Sequence, residues 1–432
     1  MNQLTTSLWG DEAFTAVATM ENFSRMMDVV LKDTHPPLYY LLLFPWIRIF
    51  GSSEAAIRSL SVLLYLGTLI TVYFIARHLT NNKKTAWLAT LLTLANPFLF
   101  TFAFESRMYM IMVFFVTLSF YFLAKKQLWG HVLTAAAAMY SQHYAALVIV
   151  WQFFWQLFTT PNFKKNWLKI FKPYLLISLL YLPWLYPLYR QVTMVSGGFW
   201  LGRPQFKDLV TLYFKYTGGG EVFPWQKYLP LLAIGLLVLK NWRQQLKNNL
   251  FLLGWVVAPA LLAYVVSLGK TSIFYDRYLI FIIPGLAILL ASGRRKFSLA
   301  LITILSLALL IINYHYFTHP TKRPFKELAQ YIKQQIQTDD YLINYNGSAH
   351  HIWETKYYGL TAPIYVPEGE LPYYVGTAQM TPKDTVAQLP DKRRIGVIGS
   401  VEPESMVVFN YQLDTYKKFG PLSFSWFIKN ED

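Results

Sequence analysis

The 432-residue sequence contains no cysteine, and few of its residues carry a charge. Without cysteine the chain can form neither a disulfide nor a thiolate metal site. Only 14% of the residues are Asp, Glu, Lys or Arg, whereas 54% are hydrophobic and 18% are aromatic. These proportions exceed what an ordinary soluble core can bury, so the composition predicts a polytopic α-helical membrane protein. Neither a Walker motif nor a dinucleotide-binding glycine fingerprint is apparent.

Apolar runs of membrane length recur along the first three quarters of the chain. A bilayer core of about 30 Å requires roughly 20 apolar residues in a helix. From such runs we predict about ten transmembrane helices. They lie at 59–76, 85–104, 108–124, two within 128–163 with a turn near residues 141–143, 173–189, 224–239, 248–269, 278–293 and 298–318.

Acidic residues are scarce, with 23 Asp and Glu against 39 Lys and Arg. This excess could indicate nucleic acid binding, but the basic residues lie between apolar runs, in every second loop. That is the positive-inside pattern of membrane proteins, so we expect no nucleic acid partner. The pattern puts the N-terminal segment, the loops around residues 105–107 and 270–277, and everything after residue 316 on the outer side. The basic loops are 77–84, 125–126, 164–172, 240–247 and 294–296.

An outer N-terminus needs a means of crossing the membrane. Residues 1–10 contain neither a signal peptide nor a spanning helix. We therefore expect that a first helix is missing, through a start codon assigned too late or a truncation. The alternative is that this short segment is translocated without help.

Two short helices are expected before the first span. Apolar residues recur at helical spacing over 23–32, which is typical of a helix lying on the bilayer surface. The apolar segment 38–50 is too short to cross, and His35 stands just before it, where free backbone N–H groups favour an anion. The apolar face of the first helix contains Phe23, Met26, Met27, Val30 and Leu31.

The composition changes after the last predicted span, and residues 319–432 are predicted to form a small soluble α/β domain on the outer side. The other predicted regions are an outer first loop, 1–56, and a transmembrane domain, 57–318. Within the soluble domain, His350, His351 and Glu354 could suggest a metal site, but this spacing without a further ligand is more typical of a polar surface. We expect a helix over 325–337 and strands over 341–345, 394–398, 406–411 and 422–428.

Four motifs follow one another on the predicted outer face, at Trp9–Thr15, Asp33–Tyr40, Glu105–Tyr109 and Asp276–Leu279. Together they resemble the GT-C membrane glycosyltransferases. The most similar branch contains the protein O-mannosyltransferases and the aminoarabinose transferase that modifies lipid A. The resemblance extends from residue 8 to about the end of the last span and implies a GT-C fold.

The resemblance also implies an activity, that of an inverting glycosyltransferase at the outer face of the cell membrane. The donor would be a sugar linked to polyprenyl phosphate, and the acceptor a hydroxyl of an unidentified protein, lipid or cell-wall polymer. Such chemistry needs a carboxylate to take the hydroxyl proton and cationic groups around the departing phosphate. No cofactor is expected to be required, with a divalent cation as an open alternative.

The resemblance assigns the role of general base to Asp11, with Glu12 beside it, and places His35 near the donor phosphate. Arg107 and Arg277 are expected to join His35, since an outward-facing arginine such as Arg277 opposes the positive-inside trend and suits a phosphate. The further substrate-binding candidates are Glu105, His143, Tyr275, Asp276 and Tyr278.

Each candidate also has a structural interpretation. Asp11 and Glu12 could cap a helix, and Glu12 could instead orient Asp11 or bind an acceptor or a divalent ion. Glu105 and Arg107 could pair with each other, Arg277 could anchor a helix at the interface, and His143 could stabilise a turn. Four aromatic residues could stack on a sugar or simply belong to the interfacial belt, namely Trp200, Tyr213, Tyr216 and Trp225.

Two other functions stay open on the sequence alone. A flippase for lipid-linked sugars would also need many helices, but it tends to place ionisable residues near the bilayer midplane, often in two related halves. Here the charges cluster at the outer ends of helices. A scaffold whose exported domain binds wall polymers would leave Asp11 and Glu12 without a task.

Overall fold

The computed structural model describes residues 2–196, 201–292 and 296–430. Trp200 and the basic residues Arg294 and Arg295, which entered the predictions, lie outside the described residues. The helices are α1 (Gly10–Met20), α2 (Phe23–Lys32), α3 (Leu38–Phe50), α4 (Glu54–Thr80), α5 (Lys83–Ala95), α6 (Pro97–Ala103), α7 (Tyr109–Ala124), α8 (Leu128–Ser141), α9 (Ala145–Thr159), α10 (Phe163–Tyr181), α11 (Leu185–Ser196), α12 (Phe206–Tyr216), α13 (Leu229–Val238), α14 (Leu246–Ser267), α15 (Ile283–Ala291), α16 (Lys296–Thr318), α17 (Phe325–Gln335) and α18 (His351–Tyr357). The strands are β1 (Tyr341–Tyr345), β2 (Ile364–Tyr365), β3 (Thr385–Val386), β4 (Arg394–Gly399), β5 (Tyr411–Phe419) and β6 (Leu422–Lys429).

Several helices have the length and composition of membrane spans. In the described ranges there are four, and five if the pair α5 and α6 forms one broken span. The predicted presence of several apolar spans is confirmed, whereas the number ten stays a prediction. The four are Glu54–Thr80, Phe163–Val195, Leu246–Ser267 and Ser298–Thr318.

A bend of 66° separates α5 from α6, within the predicted continuous span 85–104. Its cause is local, because Pro97 cannot donate a backbone hydrogen bond and disfavours a helical conformation at Asn96. The Asn96 side chain accepts a hydrogen bond from the backbone N–H of Leu99 at 3.0 Å and so starts the new helix.

The described chain forms two compact units. The first comprises Met1–Asp33, Leu42–Ile57 and Thr318–Asp432, and the second comprises Thr34–Leu41 and Arg58–Phe317. The predicted region boundaries at residues 56 and 318 stay a prediction.

The core of the second unit is built around the indole of Trp255 on α14. Its ring stacks on Phe120 of α7, with centroids 3.8 Å apart, and its Nε1–H donates to the carbonyl oxygen of Phe281 at 3.0 Å. Gly285 on α15 permits this approach, since a Cβ there would lie 2.7 Å from the ring. One buried indole therefore joins three helices of the unit.

The first unit contains a six-stranded sheet with the order β3-β2-β1-β4-β6-β5. The first four strands in this order are parallel, and β6 is antiparallel to both of its neighbours, β4 and β5. Side chains alternate between the two faces, so that Leu342 packs with Phe325 of α17 whereas Ile343 packs on the opposite face. The C-terminal region is thus β-rich with flanking helices.

One predicted strand is wrong. Residues 406–410 form no strand, and the strand begins at Tyr411 and continues to Phe419. Met406 and Val408 are buried from a loop, which gave the segment its apolar pattern. The true strand, β5, is an edge strand with mostly exposed side chains, so it carries little hydrophobic alternation.

The surface helix predicted over 23–32 is present as α2, but two residues of its predicted bilayer face are covered by protein. Met26 and Val30 are fully buried, whereas Phe23 is 52% exposed. The assignment of Met26 and Val30 to the bilayer is therefore wrong, because the same apolar periodicity serves contacts within the first unit.

Trp255→Ala tests the packing of the second unit. Because lipid is itself apolar, this substitution lowers stability mainly through lost packing contacts rather than through a lost transfer of the indole out of water. We expect a loss of about 2–4 kcal/mol in stability, seen as a lower Tm of the purified full chain in detergent. Trp87→Ala is the matched control, because Trp87 is 64% exposed. Equal Tm changes for the two variants would contradict this account.

Candidate active site

The predicted site residues divide between the two units. Asp11 and Glu12 belong to the first unit. The remaining candidates, at positions 35, 105, 107, 143 and 275–278, belong to the second.

Asp11 and Glu12 occupy the first turn of α1, where the helix dipole favours negative charge. Glu12 is fully buried, and its Oε2 accepts a hydrogen bond from Nζ of Lys322 at 2.9 Å. The Lys322 side chain is only 9% exposed, so this is a buried ion pair. Asp11 is half-buried. Two adjacent carboxylates thus have different environments, and Asp11 is the more accessible one.

Helix α1 packs on α18 of the same unit. The ring of Phe14 meets the indole of Trp353 edge-on, with centroids 5.1 Å apart. The indole N–H donates to the carbonyl oxygen of Val375 at 2.7 Å. Gly376 has φ of +94°, and a Cβ there would lie 2.8 Å from both aromatic side chains. These contacts fix the helix that carries the acidic pair.

A polar cluster lies at the start of α18. Nη1 of Arg323 donates to Nε2 of His350 at 2.9 Å and to Nε2 of His351 at 3.3 Å. Nδ1 of His351 lies 3.2 Å from Oε2 of Glu354. A Cβ on Gly10 would lie 3.5 Å from the ring of His350, so the first residue of α1 adjoins this cluster.

The interpretation of these histidines as surface polarity is wrong. His351 and Glu354 are 0% and 1% exposed. Their periodicity on a short helix resembles that of an exposed polar face, but α18 is covered by other parts of the unit. The described residues contain no group of three or more His, Asp or Glu side chains placed to hold a metal ion. Arg323 also occupies the Nε2 positions that a metal would need.

The cluster is held in neutral forms apart from Arg323. Burial raises the pKa of Glu354 to about 8 and lowers the pKa of His350 to about 4. Burial, with the charge of Arg323, lowers the pKa of His351 to about 3. Because Nε2 of each imidazole accepts from the guanidinium, the proton lies on Nδ1, and His351 donates to Glu354.

In the second unit, Arg107 lies next to His35. Nη2 of the buried Arg107 is 3.4 Å from Nε2 of His35, whose Nδ1 lies 3.2 Å from the hydroxyl of Thr34. An arginine always donates, so Nε2 of His35 accepts in this contact. The structure therefore brings together two of the predicted phosphate ligands.

Hydroxyl groups fix the turn that carries Arg107. Oγ of Ser61 on α4 donates to the backbone oxygen of Glu105 at 2.6 Å. The hydroxyl of Tyr39 on α3 lies 3.1 Å from Oγ of Ser106 and 3.3 Å from Oγ of Ser61. Residues 105–107 are thus tied to two helices.

Tyrosine rings surround Arg277. Its Cζ lies 4.9 Å from the ring centroid of Tyr275, 5.6 Å from that of Tyr278 and 5.8 Å from that of Tyr109. Such rings attract a cation without cancelling its charge. Tyr109 follows Arg107 by two positions, so the ring beneath Arg277 extends from the turn that carries Arg107.

Asp276 and Tyr216 form structural contacts. Oδ2 of Asp276 pairs with Nζ of Lys215 at 2.5 Å, and its backbone oxygen accepts from the hydroxyl of Tyr216 at 2.5 Å. Tyr216 is 1% exposed. The hypothesis that Tyr216 stacks on a sugar is therefore wrong, since its ring is covered by protein.

Both ring nitrogens of His143 are engaged. Nδ1 lies 2.9 Å from the hydroxyl of Tyr181, and Nε2 lies 2.9 Å from Oε1 of Gln191. These contacts favour the structural interpretation of His143, as a residue that joins the α8–α9 turn to two neighbouring helices.

Sequence reasoning did not single out Lys322 or Arg323. A signal was present, because two adjacent cations stand just after the last span on the predicted outer side. They oppose the positive-inside trend in the same way as Arg277.

The buried acid predicts a pH dependence of stability. Because the pKa of Glu354 is raised from 4.5 to about 8, the folded protein binds more protons there than the unfolded chain does, and stability falls as pH rises towards 8. The two histidines act in the opposite direction, but only below their ordinary pKa of 6.5. Between pH 6.5 and 8 we expect Glu354 to make the free energy of unfolding fall by at most about 1.4 kcal/mol per pH unit. Glu354→Gln should abolish this slope.

The measurement is the Tm of the purified full chain across the pH range from 6.5 to 8. Glu370→Gln removes an exposed carboxylate and serves as control. If Glu354→Gln and wild type show the same slope, Glu354 does not hold its proton in the folded protein.

This chain is similar to known proteins in sequence and in fold. Residues 34–189 match the sequence profile of the family described as dolichyl-phosphate-mannose-protein mannosyltransferase. An undecaprenyl phosphate-alpha-4-amino-4-deoxy-L-arabinose arabinosyl transferase of Yersinia pestis (strain Pestoides F) is 28% identical over 247 residues. That alignment covers 51% of this chain and 43% of the relative, so it spans less than half of the relative's length.

The fold is shared over almost the whole chain. The structure of ArnT from Cupriavidus metallidurans in the apo state aligns with 98% of this chain and 94% of its own, at a TM-score of 0.65 and 12% identity. The same protein bound to undecaprenyl phosphate aligns with a TM-score of 0.59. With its apolar spans, this chain is a multi-pass membrane protein. Its sequence is similar to the protein mannosyltransferase family over residues 34–189 and to the arabinosyl transferase over about half of its length, and its fold is that of ArnT, in agreement with the resemblance of the four sequence motifs.

Proposed function

We propose that this protein is an inverting glycosyltransferase that moves a sugar from a polyprenyl-phosphate donor to an acceptor hydroxyl at the outer face of the cell membrane. The observation that carries the proposal is the fold shared over 98% of the chain with ArnT, one structure of which is bound to undecaprenyl phosphate. The relatives named above are transferases, so the matches give a flippase without transferase activity no support.

Arg107 and Arg277 bind the donor phosphate in this proposal. Arg107 lies next to His35, and Arg277 lies among the rings of Tyr275, Tyr278 and Tyr109. A guanidinium offers several N–H donors to phosphate oxygens and stabilises the charge that the leaving phosphate gains. His35 orients Arg107 through the contact between Nε2 and Nη2.

Asp11 is the general base. It is the more accessible member of the acidic pair, whereas Glu12 is buried against Lys322. The acceptor hydroxyl gives its proton to the Asp11 carboxylate while its oxygen attacks the anomeric carbon. The bond between that carbon and the phosphate oxygen breaks, and its electron pair leaves with the polyprenyl phosphate. Attack from the opposite side inverts the anomeric configuration.

No step of this reaction requires a cofactor, because arginine side chains carry the positive charge that the phosphate needs. Activity that survives EDTA would agree with this, and loss of activity that is restored by a divalent cation would contradict it. The matched relatives suggest two donor probes, which are the undecaprenyl-phosphate derivatives of 4-amino-4-deoxy-L-arabinose and of mannose.

Asp11→Asn tests the base. An amide cannot accept the hydroxyl proton, so we expect transfer to fall by about 10²–10⁴-fold with the donor KM little changed. Membranes containing the full chain receive each isotopically labelled donor, and mass spectrometry follows label in the envelope fraction and the release of undecaprenyl phosphate.

Asp28→Asn is the matched control for Asp11→Asn. Asp28 lies on α2, is 41% exposed and pairs with Arg25 and Lys32. The control should transfer at the wild-type rate. Wild-type transfer by Asp11→Asn would show that another group takes the proton, and redistribution of the donor across the membrane without transfer would favour the flippase.

Arg277→Met and Arg107→Met test the phosphate site. Loss of one charge-assisted contact should weaken binding of undecaprenyl phosphate by roughly 10-fold to 100-fold. Native mass spectrometry of the detergent-solubilised chain with undecaprenyl phosphate measures this. Arg77→Met is the control, because Arg77 forms an exposed contact with Asn81. If all three variants bind undecaprenyl phosphate with the same affinity, neither Arg107 nor Arg277 contacts the donor phosphate.

A further inference from the structure

We infer that Lys322, supplied by the C-terminal part of the chain, is a positioning residue that orients the acidic turn of α1 through Glu12. This inference rests on the proposed function, because its consequence for activity requires that Asp11 be the base. Its first support is geometric. Nζ of Lys322 lies 2.9 Å from Oε2 of Glu12, and both side chains are withdrawn from water.

Stability alone is a poor explanation of this contact. A buried ion pair loses much of its attraction to the cost of removing both charges from water, and apolar residues of similar volume are often as stabilising. A directional contact between two charges does, however, define one position for the carboxylate. Glu12 adjoins Asp11, so fixing Glu12 fixes the first turn of α1 and the backbone of Asp11.

The segment that carries Lys322 is itself anchored. Residues 319–324 connect α16 to α17, and Arg323, the next residue, donates to His350 and His351 at the start of α18. The Arg323 contacts thus fix the backbone next to Lys322 and limit the positions that its ammonium can take. Gly10, at the start of α1, adjoins the same His350. Lys322 thus contacts the acidic turn directly, and Arg323 contacts a histidine that adjoins its first residue.

A second lysine gives a matched comparison. Nζ of Lys326 lies 3.0 Å from Oε1 of Glu54, but the Lys326 side chain is 37% exposed. Both contacts join a lysine after α16 to a glutamate of the N-terminal region, and only the Lys322 contact involves the acidic turn. Lys326→Met therefore removes a second ion pair of the same unit, one that does not contact the acidic turn.

The first measurement is hydrogen exchange of the full chain, followed by mass spectrometry. We expect Lys322→Met to raise amide exchange in α1 over Gly10–Met20, and Lys326→Met to leave it as in wild type. This readout does not depend on activity. Unchanged exchange of α1 in Lys322→Met overturns the inference, whether or not the protein is a transferase.

The second measurement is transfer in the assay used for Asp11→Asn. A carboxylate displaced by about 1 Å can cost roughly 100-fold in rate, so we expect kcat of Lys322→Met to fall by about 10-fold to 100-fold with the donor KM unchanged. Lys322→Arg keeps the charge and should recover most of the rate. Lys326→Met should transfer as wild type does.

A double-variant cycle separates positioning from a general loss of folding. If Lys322 acts through Glu12, the variant with both Glu12→Gln and Lys322→Met should be no less active than the lower of the two single variants. Additive losses, or wild-type kcat in Lys322→Met, overturn the inference. If Lys322→Met fails to fold, Glu12→Gln tests the inference by itself. A wild-type kcat in Glu12→Gln overturns the inference, because Lys322 is inferred to act through Glu12. Absence of transfer by wild type would instead refute the proposed function, with the exchange experiment still deciding this inference.

Discussion

The cationic side chains of the proposed site contact two kinds of partner, a carboxylate in one case and an imidazole or aromatic rings in the other. Lys322 meets the carboxylate of Glu12, so the two charges cancel and the pair can fix a position but contributes little charge to bind a substrate. Arg107 contacts an imidazole, and Arg277 lies among three tyrosine rings, whose faces attract a cation without carrying an opposite charge. The first arrangement suits a structural role and the second suits a phosphate. The division of labour proposed for the site follows from this difference.

The same constraint separates the two carboxylates of α1. Successive residues of a helix point about 100° apart, so Asp11 and Glu12 face in different directions. Glu12 faces Lys322 and is buried, which leaves Asp11 with a half-buried position. A general base must be reached by its substrate, whereas a carboxylate that orients it is better kept from water. The preference for Asp11 thus has a structural reason in addition to the family resemblance.

Sequence reasoning succeeded where the signal was local. Hydrophobic runs predicted most helices, and four short motifs indicated the superfamily. The sequence also contained the cause of the bend between α5 and α6, since Pro97 follows Asn96, but the apolar run around it concealed the break. It could not predict that Lys322 meets Glu12, because 310 positions separate the two residues. The polar pattern of His350, His351 and Glu354 was misleading for the same reason, as only tertiary structure decides whether a polar helix is covered.

The contacts of Lys322 and Trp353 with α1 bear on the role of the C-terminal region. The motif resemblance ends near the last span, which alone would make residues beyond it an accessory domain. The structure instead groups Thr318–Asp432 with Met1–Asp33 in one compact unit. Removal of the C-terminal region would leave the Glu12 carboxylate without Lys322 and α1 without the ring of Trp353. Loss of the Lys322 ammonium would raise the cost of burying that carboxylate and favour rearrangement of the acidic turn. The C-terminal region therefore forms part of the surroundings of the turn that carries Asp11, through Lys322 and Trp353.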